Sequence, residues 1–196
     1  MLKIGITGGI GSGKTTVCKV FETLGIPVFY ADTVAKSIMV DDPLLITGVK
    51  DAFGELSYFE DGKLNNKHIA GIVFSNPKEL AKLNSMVHPA VFRAFDNWVV
   101  GLDNVAPYIL KEAALLFESE SYKMCDQSIL VIAPHQLKLE RVIERDQVTA
   151  DQVMSRMDKQ FSDEQKIKLA DFILYNNESQ SVISQVMDLH QQFLKY

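Results

Sequence analysis

The stretch "GITGGIGSGKTT", Gly5 to Thr16, limits what this chain can fold into more than any other. Gly8, Gly13, Lys14 and Thr15 fit the spacing G-x-x-x-x-G-K-[ST]. An apolar run, Leu2 to Ile6, reads as a buried strand before it. Val17, Val20, Phe21 and Leu24 recur at helical spacing behind it, and Gly25 closes that helix. A glycine loop between a strand and a helix turns its backbone N–H groups inward, where they and the helix N-terminus form a nest for anions. In that nest Lys14 reaches the β- and γ-phosphates of a nucleotide, and the Thr15 hydroxyl is placed for Mg²⁺. Gly9, Gly11, Ser12 and Thr16 add to the fit. A turn that merely joins strand to helix is the plain alternative, and the flanking elements weigh against it.

The order strand, loop, helix, strand continues with "IPVFY", Ile26 to Tyr30, which predicts an α/β chain with a parallel sheet. Helical patterns follow over about Thr33–Met39, Pro43–Phe53 and Asn66–Phe74. Another begins at "NPKE", with Asn76 as N-cap and Glu79 as capping partner. "HP", His88 and Pro89, is expected to break or kink it. A further helix carries Val91, Phe95, Trp98 and Leu102 on one face. Sheet strands resume at "PYILKE" and "QSILVIA". Roughly 75 residues separate these from the second strand, far beyond an ordinary crossover, so the excess is expected to form a helical subdomain.

The stretch after Ile132 is polar and helical, with capping boxes at Thr149/Gln152 and Ser162/Gln165. Its apolar residues are sparse, which predicts loose packing. "DFILYN" reads as a last strand, and Val182, Val186 and Phe193 mark a closing helix. The expected organisation is one domain with two excursions: a core of 1–32, 105–140 and 170–196, a helical subdomain of 33–104, and a second excursion of 141–169.

A chain of 196 residues supports one core with small insertions. The net charge of −5 argues against a broad nucleic-acid surface, which needs clustered positive charge. No apolar run is long enough to span a bilayer, and the N-terminus lacks a signal-peptide pattern. Cys18 and Cys125 stand alone, so a zinc site or disulfide framework is not expected; both read as small buried hydrophobes in a reducing cytoplasm.

Ligands of a parallel sheet gather at the carboxyl ends of its strands. Asp32 follows the second strand, where a carboxylate can take a proton from an attacking hydroxyl or hold a metal-bound water. It can equally cap the helix starting at Thr33. Glu112 ends the strand Tyr108–Leu110 and is a candidate for positioning Mg²⁺, although many strands end in a carboxylate. Arg141 and Arg145 share one helix face, which serves either to clamp phosphates or to pair in solvent with Glu140 and Glu144.

"GITGGIGSGKTT", "GIPVFYAD", "MVHPAVF", "EAALLFE", "RVIERD" and "LADFILYNN", in this order along nearly the whole chain, resemble the dephospho-CoA kinase family. The resemblance implies a P-loop kinase fold, with a parallel β-sheet core flanked by helices, a helical substrate-binding insertion and a helical lid. It implies transfer of the γ-phosphoryl group of ATP, with Mg²⁺, to the ribose 3′-hydroxyl of dephospho-CoA.

On this chain the catalytic aspartate of that family falls on Asp32, with Lys14 and Arg141 beside the phosphates. ATP contacts fall on Gly9, Gly11, Ser12, Gly13, Lys14, Thr15, Thr16 and Asn177. Acceptor contacts fall on Thr7, Asp32, His88, Leu116 and Phe117, and metal contacts on Thr15 and Glu112. The lid falls on 141–169, with Arg141 and Arg145. The chain departs from the family pattern at Tyr30, at Ala114 in place of proline, and at Lys138 in place of glutamine. His88 shapes the acceptor wall or binds the acceptor, Phe117 packs on the acceptor or belongs to the core, and Asn176 and Asn177 meet the adenine or form a turn.

Besides a non-catalytic binding protein, which Lys14, Thr15 and Asp32 together argue against, two rival readings remain. The first is a kinase for nucleosides or nucleoside monophosphates. The second is a nucleotide-dependent switch, although the N-K-x-D stretch usual in guanine-reading switches is missing from the sequence.

Overall fold

Short runs rich in Ile, Val and Leu build a sheet buried on both faces, the pattern expected of parallel strands covered by helices. The computed structural model describes residues 1–74, 76–102 and 105–196. Among them the strands are β1 (Leu2–Thr7), β2 (Val28–Tyr30), β3 (Tyr108–Glu112), β4 (Gln127–Ile132) and β5 (Phe172–Tyr175). They form one sheet in the order β2-β3-β1-β4-β5, with every pairing parallel. The register sets Ile6 opposite both Glu112 and Ile129, and Tyr30 opposite Glu112. The carboxyl ends of β1, β2 and β3 are therefore level.

Helix α1 (Lys14–Thr23) and helix α9 (Val182–Phe193) cover the sheet. Ile4, Ile6, Ile129, Val131 and Leu174 pack against Val17, Phe21, Val186 and Phe193. Each such side chain contributes roughly 1.5–3 kcal/mol when fully buried. The Tyr108 ring meets Phe21 and Phe193 edge-on, and its hydroxyl shares a 2.6 Å hydrogen bond with His190 Nδ1. The sheet, with helices α6 (His135–Asp146), α7 (Ala150–Met157) and α8 (Asp163–Ile167), belongs to a first unit, Met1–Tyr30 plus Leu102–Tyr196.

Ala31–Gly101 form a second unit. It holds α2 (Ala31–Asp41), α3 (Pro43–Phe53), α4 (Asn66–Val73) and α5 (Pro77–Gly101). Its own core is Met39, Leu45, Val49, Phe53, Tyr58, Ile69, Val73 and Ala90. The last two residues of the subdomain expected from sequence, 103–104, lie outside the described residues. The expected caps form here: Asn76 Oδ1 accepts from Lys78 N at 3.0 Å and Glu79 N at 3.4 Å, and Asp42 Oδ1 accepts from Leu44 N and Leu45 N at 2.9 and 3.1 Å.

Two local expectations change. "HP" does not break the helix, because α5 runs for 25 residues with Pro89 inside it. An interior proline costs about 3 kcal/mol. Ala90, Val91 and Phe95, all buried, follow at once, and only a continuous helix keeps that face in the core. Helix α2 also begins earlier than read, so Asp32 sits in its first turn and is not a cap ahead of Thr33. A carboxylate there is favoured by the helix dipole.

The cysteines are both free. Cys18 is buried, and burial pushes its thiol well above the usual range. Cys125 is only half-buried, with its thiol pushed up to about 11 by the same cause.

Candidate active site

Gly8 to Gly13 connect β1 to α1 as a tight loop closed by a 3.0 Å bond from Ser12 N to Gly9 O. Glycine is required at two points. Gly11 has φ +80°, and a Cβ there would collide with the Lys138 carbonyl oxygen on α6. Gly13, the residue before the helix, has φ +90°, and a Cβ would strike Asn176 Nδ2. Both residues occupy the left-handed region, which costs other residues about 1–2 kcal/mol. The loop is thus packed tightly from outside, and it ends at the start of α1, where the first N–H groups of a helix have no intrahelical partner.

Cations surround this nest. Lys14 Nζ lies 3.9 Å from Glu112 Oε1, with both side chains nearly buried at 11% and 8% exposure. Arg141 reaches the loop from α6. Its Nη2 donates to Asn176 Oδ1 at 3.5 Å, and Asn176 Nδ2 donates to the Ser12 carbonyl at 2.8 Å. Arg141 Nη1 is enclosed and, among the described residues, has no hydrogen-bond partner; the same is true of Ser12 Oγ inside the loop. A buried guanidinium nitrogen left without a partner costs free energy unless an anion completes it. These groups fit a bound polyphosphate.

Arg145 and Arg156 are placed differently. Both hold the Asp146 carboxylate, Arg145 through two bonds of 2.7 and 3.1 Å and Arg156 through one of 2.9 Å. That pairing keeps Asp146 below the usual carboxylate range. Of the two alternatives read from sequence, Arg145 takes a solvent pairing, with Asp146 as its partner and not Glu140 or Glu144.

Thr15 and Thr16 are exposed on the first turn of α1. The Thr15 hydroxyl and the Glu112 carboxylate are hard oxygen donors suited to Mg²⁺. Among the described residues no group of three or more His, Cys, Asp or Glu could hold a metal unaided. One or two protein oxygens joined by substrate phosphates is the usual Mg²⁺ arrangement.

The acceptor candidates divide. Thr7 ends β1 fully buried, with its hydroxyl donating to Ala114 O at 3.4 Å. Leu116 packs under Gly5, and Phe117 leans on Tyr122 at 5.6 Å between ring centroids; both belong to the core. Asp32 and His88 lie in the second unit, Asp32 exposed and His88 half-buried on the Phe92 ring. Burial holds the His88 imidazole below its ordinary value, which favours its neutral form. Asn177 accepts from Ser179 N and Oγ in its own turn, and Asn176 is the asparagine that touches the loop.

Contacts made by the polar segment after β4 escaped the sequence reading. Lys138 Nζ pairs with Asp163 Oδ2 at 2.7 Å, and Ile10 N donates to Gln160 Oε1 at 3.0 Å. Glu118 Oε1 accepts from Phe161 N at 2.8 Å, and Lys166 Nζ, fully buried, lies 3.0 Å from the same oxygen as an ion contact off the hydrogen-bonding angle. Val142 and Val153 are fully buried too. The segment is therefore tied to the loop by a hydrogen bond, to Glu118 by an ion pair and to the core by two valines, with Lys138–Asp163 bridging it internally, whereas its apolar content alone implied loose packing. A lysine on a polar helix carries no mark of burial in sequence, and the capping boxes were the visible part of this arrangement.

The sequence model of one family, described as dephospho-CoA kinase, matches residues 2–181. The chain belongs to the dephospho-CoA kinase family. Individual relatives and solved structures are also similar to it. A dephospho-CoA kinase from Bacteroides fragilis is 36% identical over 188 residues, covering 96% of this chain and 91% of the relative. The crystal structure of TT1252 from Thermus thermophilus has a TM-score of 0.87 at 31% identity, covering 98% and 97% of the two chains. A dephospho-CoA kinase structure from Campylobacter jejuni has a TM-score of 0.72 at 26% identity, again covering 98% and 97%. The match to the dephospho-CoA kinase family takes in the phosphate loop, the whole helical unit and the ion-paired segment after β4.

Proposed function

We propose that this chain transfers the γ-phosphoryl group of ATP to the ribose 3′-hydroxyl of dephospho-CoA, giving CoA and ADP. The observation that carries this reading is the family match across both the phosphate loop and the helical unit. In the reaction the acceptor oxygen attacks the γ-phosphorus as the bond to the β–γ bridging oxygen breaks, and ADP leaves. Asp32 orients the hydroxyl and takes its proton. Lys14 and the loop amides hold the β- and γ-phosphates. Arg141 directs its unpartnered nitrogen at the charge on the transferring group. Thr15 and Glu112 hold Mg²⁺, which when bound neutralises phosphate charge.

Gly9, Gly11, Ser12, Gly13 and Thr16 form the rest of the nucleotide cradle, with Asn177 on its adenine side. Thr7, Leu116 and Phe117 support the acceptor wall from behind, and neutral His88 serves it by hydrogen bonding without charge. Residues 141–169 act as a lid that excludes water, the competing acceptor.

Among the described residues no helix is long and apolar enough to cross a membrane. Both substrates are water-soluble, and we assign the reaction to the cytoplasm. The test is a coupled assay offering dephospho-CoA, AMP, dTMP and cytidine in parallel. Dephospho-CoA is expected to turn over fastest, and faster turnover of any of the others overturns the reading.

A further inference from the structure

The peptide between Gly9 and Ile10 is held at both ends. Its carbonyl, that of Gly9, accepts from Ser12 N at 3.0 Å and closes the turn of the phosphate loop. Its N–H, that of Ile10, donates at 3.0 Å to Gln160 Oε1, in the turn between α7 and α8. Across a trans peptide the two groups point in opposite directions, so a partner on one side sets where the other points. A loop containing Gly8, Gly9, Gly11 and Gly13 resists rotation of that plane weakly, because glycine tolerates both signs of φ. Rotation would take the Gly9 carbonyl away from Ser12. The effect would spread, since the Ser12 carbonyl accepts from Asn176 Nδ2 and Asn176 Oδ1 accepts from Arg141.

Gln160 offers its oxygen from an anchored place. Its neighbour Phe161 donates its N–H to Glu118 Oε1 at 2.8 Å, and the fully buried Lys166 lies 3.0 Å from the same oxygen. Ser162 and Gln165 cap α8 reciprocally, and Asp163 in its first turn pairs with the nearly buried Lys138 at 2.7 Å. Lys138 also backs the loop: its carbonyl abuts Gly11, and its Nζ lies 3.3 Å from where a Cβ on Gly9 would stand. Buried pairs cost desolvation and are weak stabilisers, so a fixed geometry is the better reason for them. Beside Gly9 and Ile10 the loop borders a cavity of about 460 Å³ that Lys138 and Gln160 also line. At these two residues polar contacts take the place of the close packing seen at Gly11 and Gly13.

We propose that Gln160 is a positioning residue of the phosphate loop: it fixes the Gly9–Ile10 peptide plane, and the anchored segment 160–166 holds it there. This rests on the function proposed above in taking the loop as the ATP site, and it makes 160–166 the fixed end of the proposed lid. Gln160 acts through the loop backbone. A loop already set in its binding shape needs less reorganisation when a polyphosphate arrives.

The experiment uses the full chain and Gln160→Met, which keeps the reach of the side chain and removes the acceptor. Hydrogen exchange at the Ile10 amide is expected to quicken about tenfold or more. Kd for ATP and for ADP, measured by calorimetry, is expected to rise about fivefold, the scale of one hydrogen bond. KM for dephospho-CoA and the midpoint of urea unfolding are expected to stay at their wild-type values. Gln160→Asn falls one carbon short of Ile10 and repeats the loss with a polar side chain if methionine is not accommodated. Gln160→Glu keeps an oxygen at the same reach and is expected to restore slow exchange at Ile10.

An Ile10 amide that exchanges as slowly in Gln160→Met as in the wild type overturns the proposal. So does fast exchange with ATP and ADP affinity unchanged. A lowered unfolding midpoint in Gln160→Met and Gln160→Asn, without recovery of slow exchange in Gln160→Glu, reduces Gln160 to a structural role and also overturns it. If the wild type binds ATP but does not phosphorylate dephospho-CoA, the proposed reaction fails while the role of Gln160 stands on the affinities.

Discussion

The two units differ in whether they bury charged pairs, although the first also keeps exposed ones such as Lys123–Glu120 and Arg145–Asp146. The first buries Lys14 with Glu112, Lys166 with Glu118 and Lys138 with Asp163, all close to the phosphate loop or the segment fastened to it. The second leaves Lys50–Glu55, Lys63–Asp61 and Arg93–Asp42 largely in solvent and packs an apolar core. Buried pairs cost desolvation, and hydrophobic replacements would often stabilise a fold as well or better. Charges already fixed and dehydrated need little reorganisation when an anion arrives, which is the part the proposed reaction gives to the loop. In the proposed reaction the contribution of the helical unit is an exposed carboxylate, Asp32.

The comparison breaks most sharply at that carboxylate. Asp32→Asn is expected to lower kcat by about 10²–10⁴ while ATP affinity and stability stay close to wild type. Turnover near the wild-type value would remove Asp32 as proton acceptor.

Next in size is the burial of charge. Lys166→Met leaves Glu118 buried and unpaired, an expected loss of about 3–5 kcal/mol in urea unfolding. The matched change Lys63→Met in the helical unit is expected to cost no more than about 1 kcal/mol. Equal losses would erase the distinction between the units.

Gly11→Ala, which meets the Lys138 carbonyl oxygen and carries the φ +80° strain, is expected to weaken ATP binding about tenfold in calorimetry. ATP binding at wild-type strength would show that the loop does not depend on this close approach.

Asp42→Ala removes the cap of α3 and is expected to cost about 1 kcal/mol, seen as faster hydrogen exchange within the helical unit. The backbone N–H of Leu45 and then that of Leu44, with Arg93 nearby, hold the Asp42 carboxyl below its ordinary value. Its contribution is present above the unfolded pKa of about 3.9 and is lost as pH falls below that.

The smallest effect belongs to His88. Burial lowers its folded pKa, so the unfolded chain binds the proton more readily. Stability from the neutral imidazole is complete above about pH 6.5 and declines as pH falls toward the folded value. His88→Gln should flatten the change in unfolding midpoint between pH 7 and pH 5 by a fraction of a kcal/mol. An unaltered slope would exclude the imidazole as its source.

Local pattern determined a large part of this protein. The spacing Gly8, Gly13, Lys14, Thr15 specified a strand, an anion nest and a helix, because each of those residues acts on backbone within a few positions of itself. The same holds for the caps at Asn76, Thr149 and Ser162, and for the helical insertion, whose apolar residues recur at the helix period. Tertiary structure alone settled which partner each charge takes. Arg141 and Arg145 look alike in sequence, yet Asp146 takes one while Asn176, brought in by β5, holds the other beside the loop. Lys138 and Lys166 look like solvated helix residues until Asp163 and Glu118 enclose them. The cavity lined by Ala35, Ala70 and Val87 likewise exists only once α2, α4 and α5 have packed. Backbone conformation follows from neighbours along the chain, whereas desolvation and ion pairing depend on groups that only folding brings within a few ångströms.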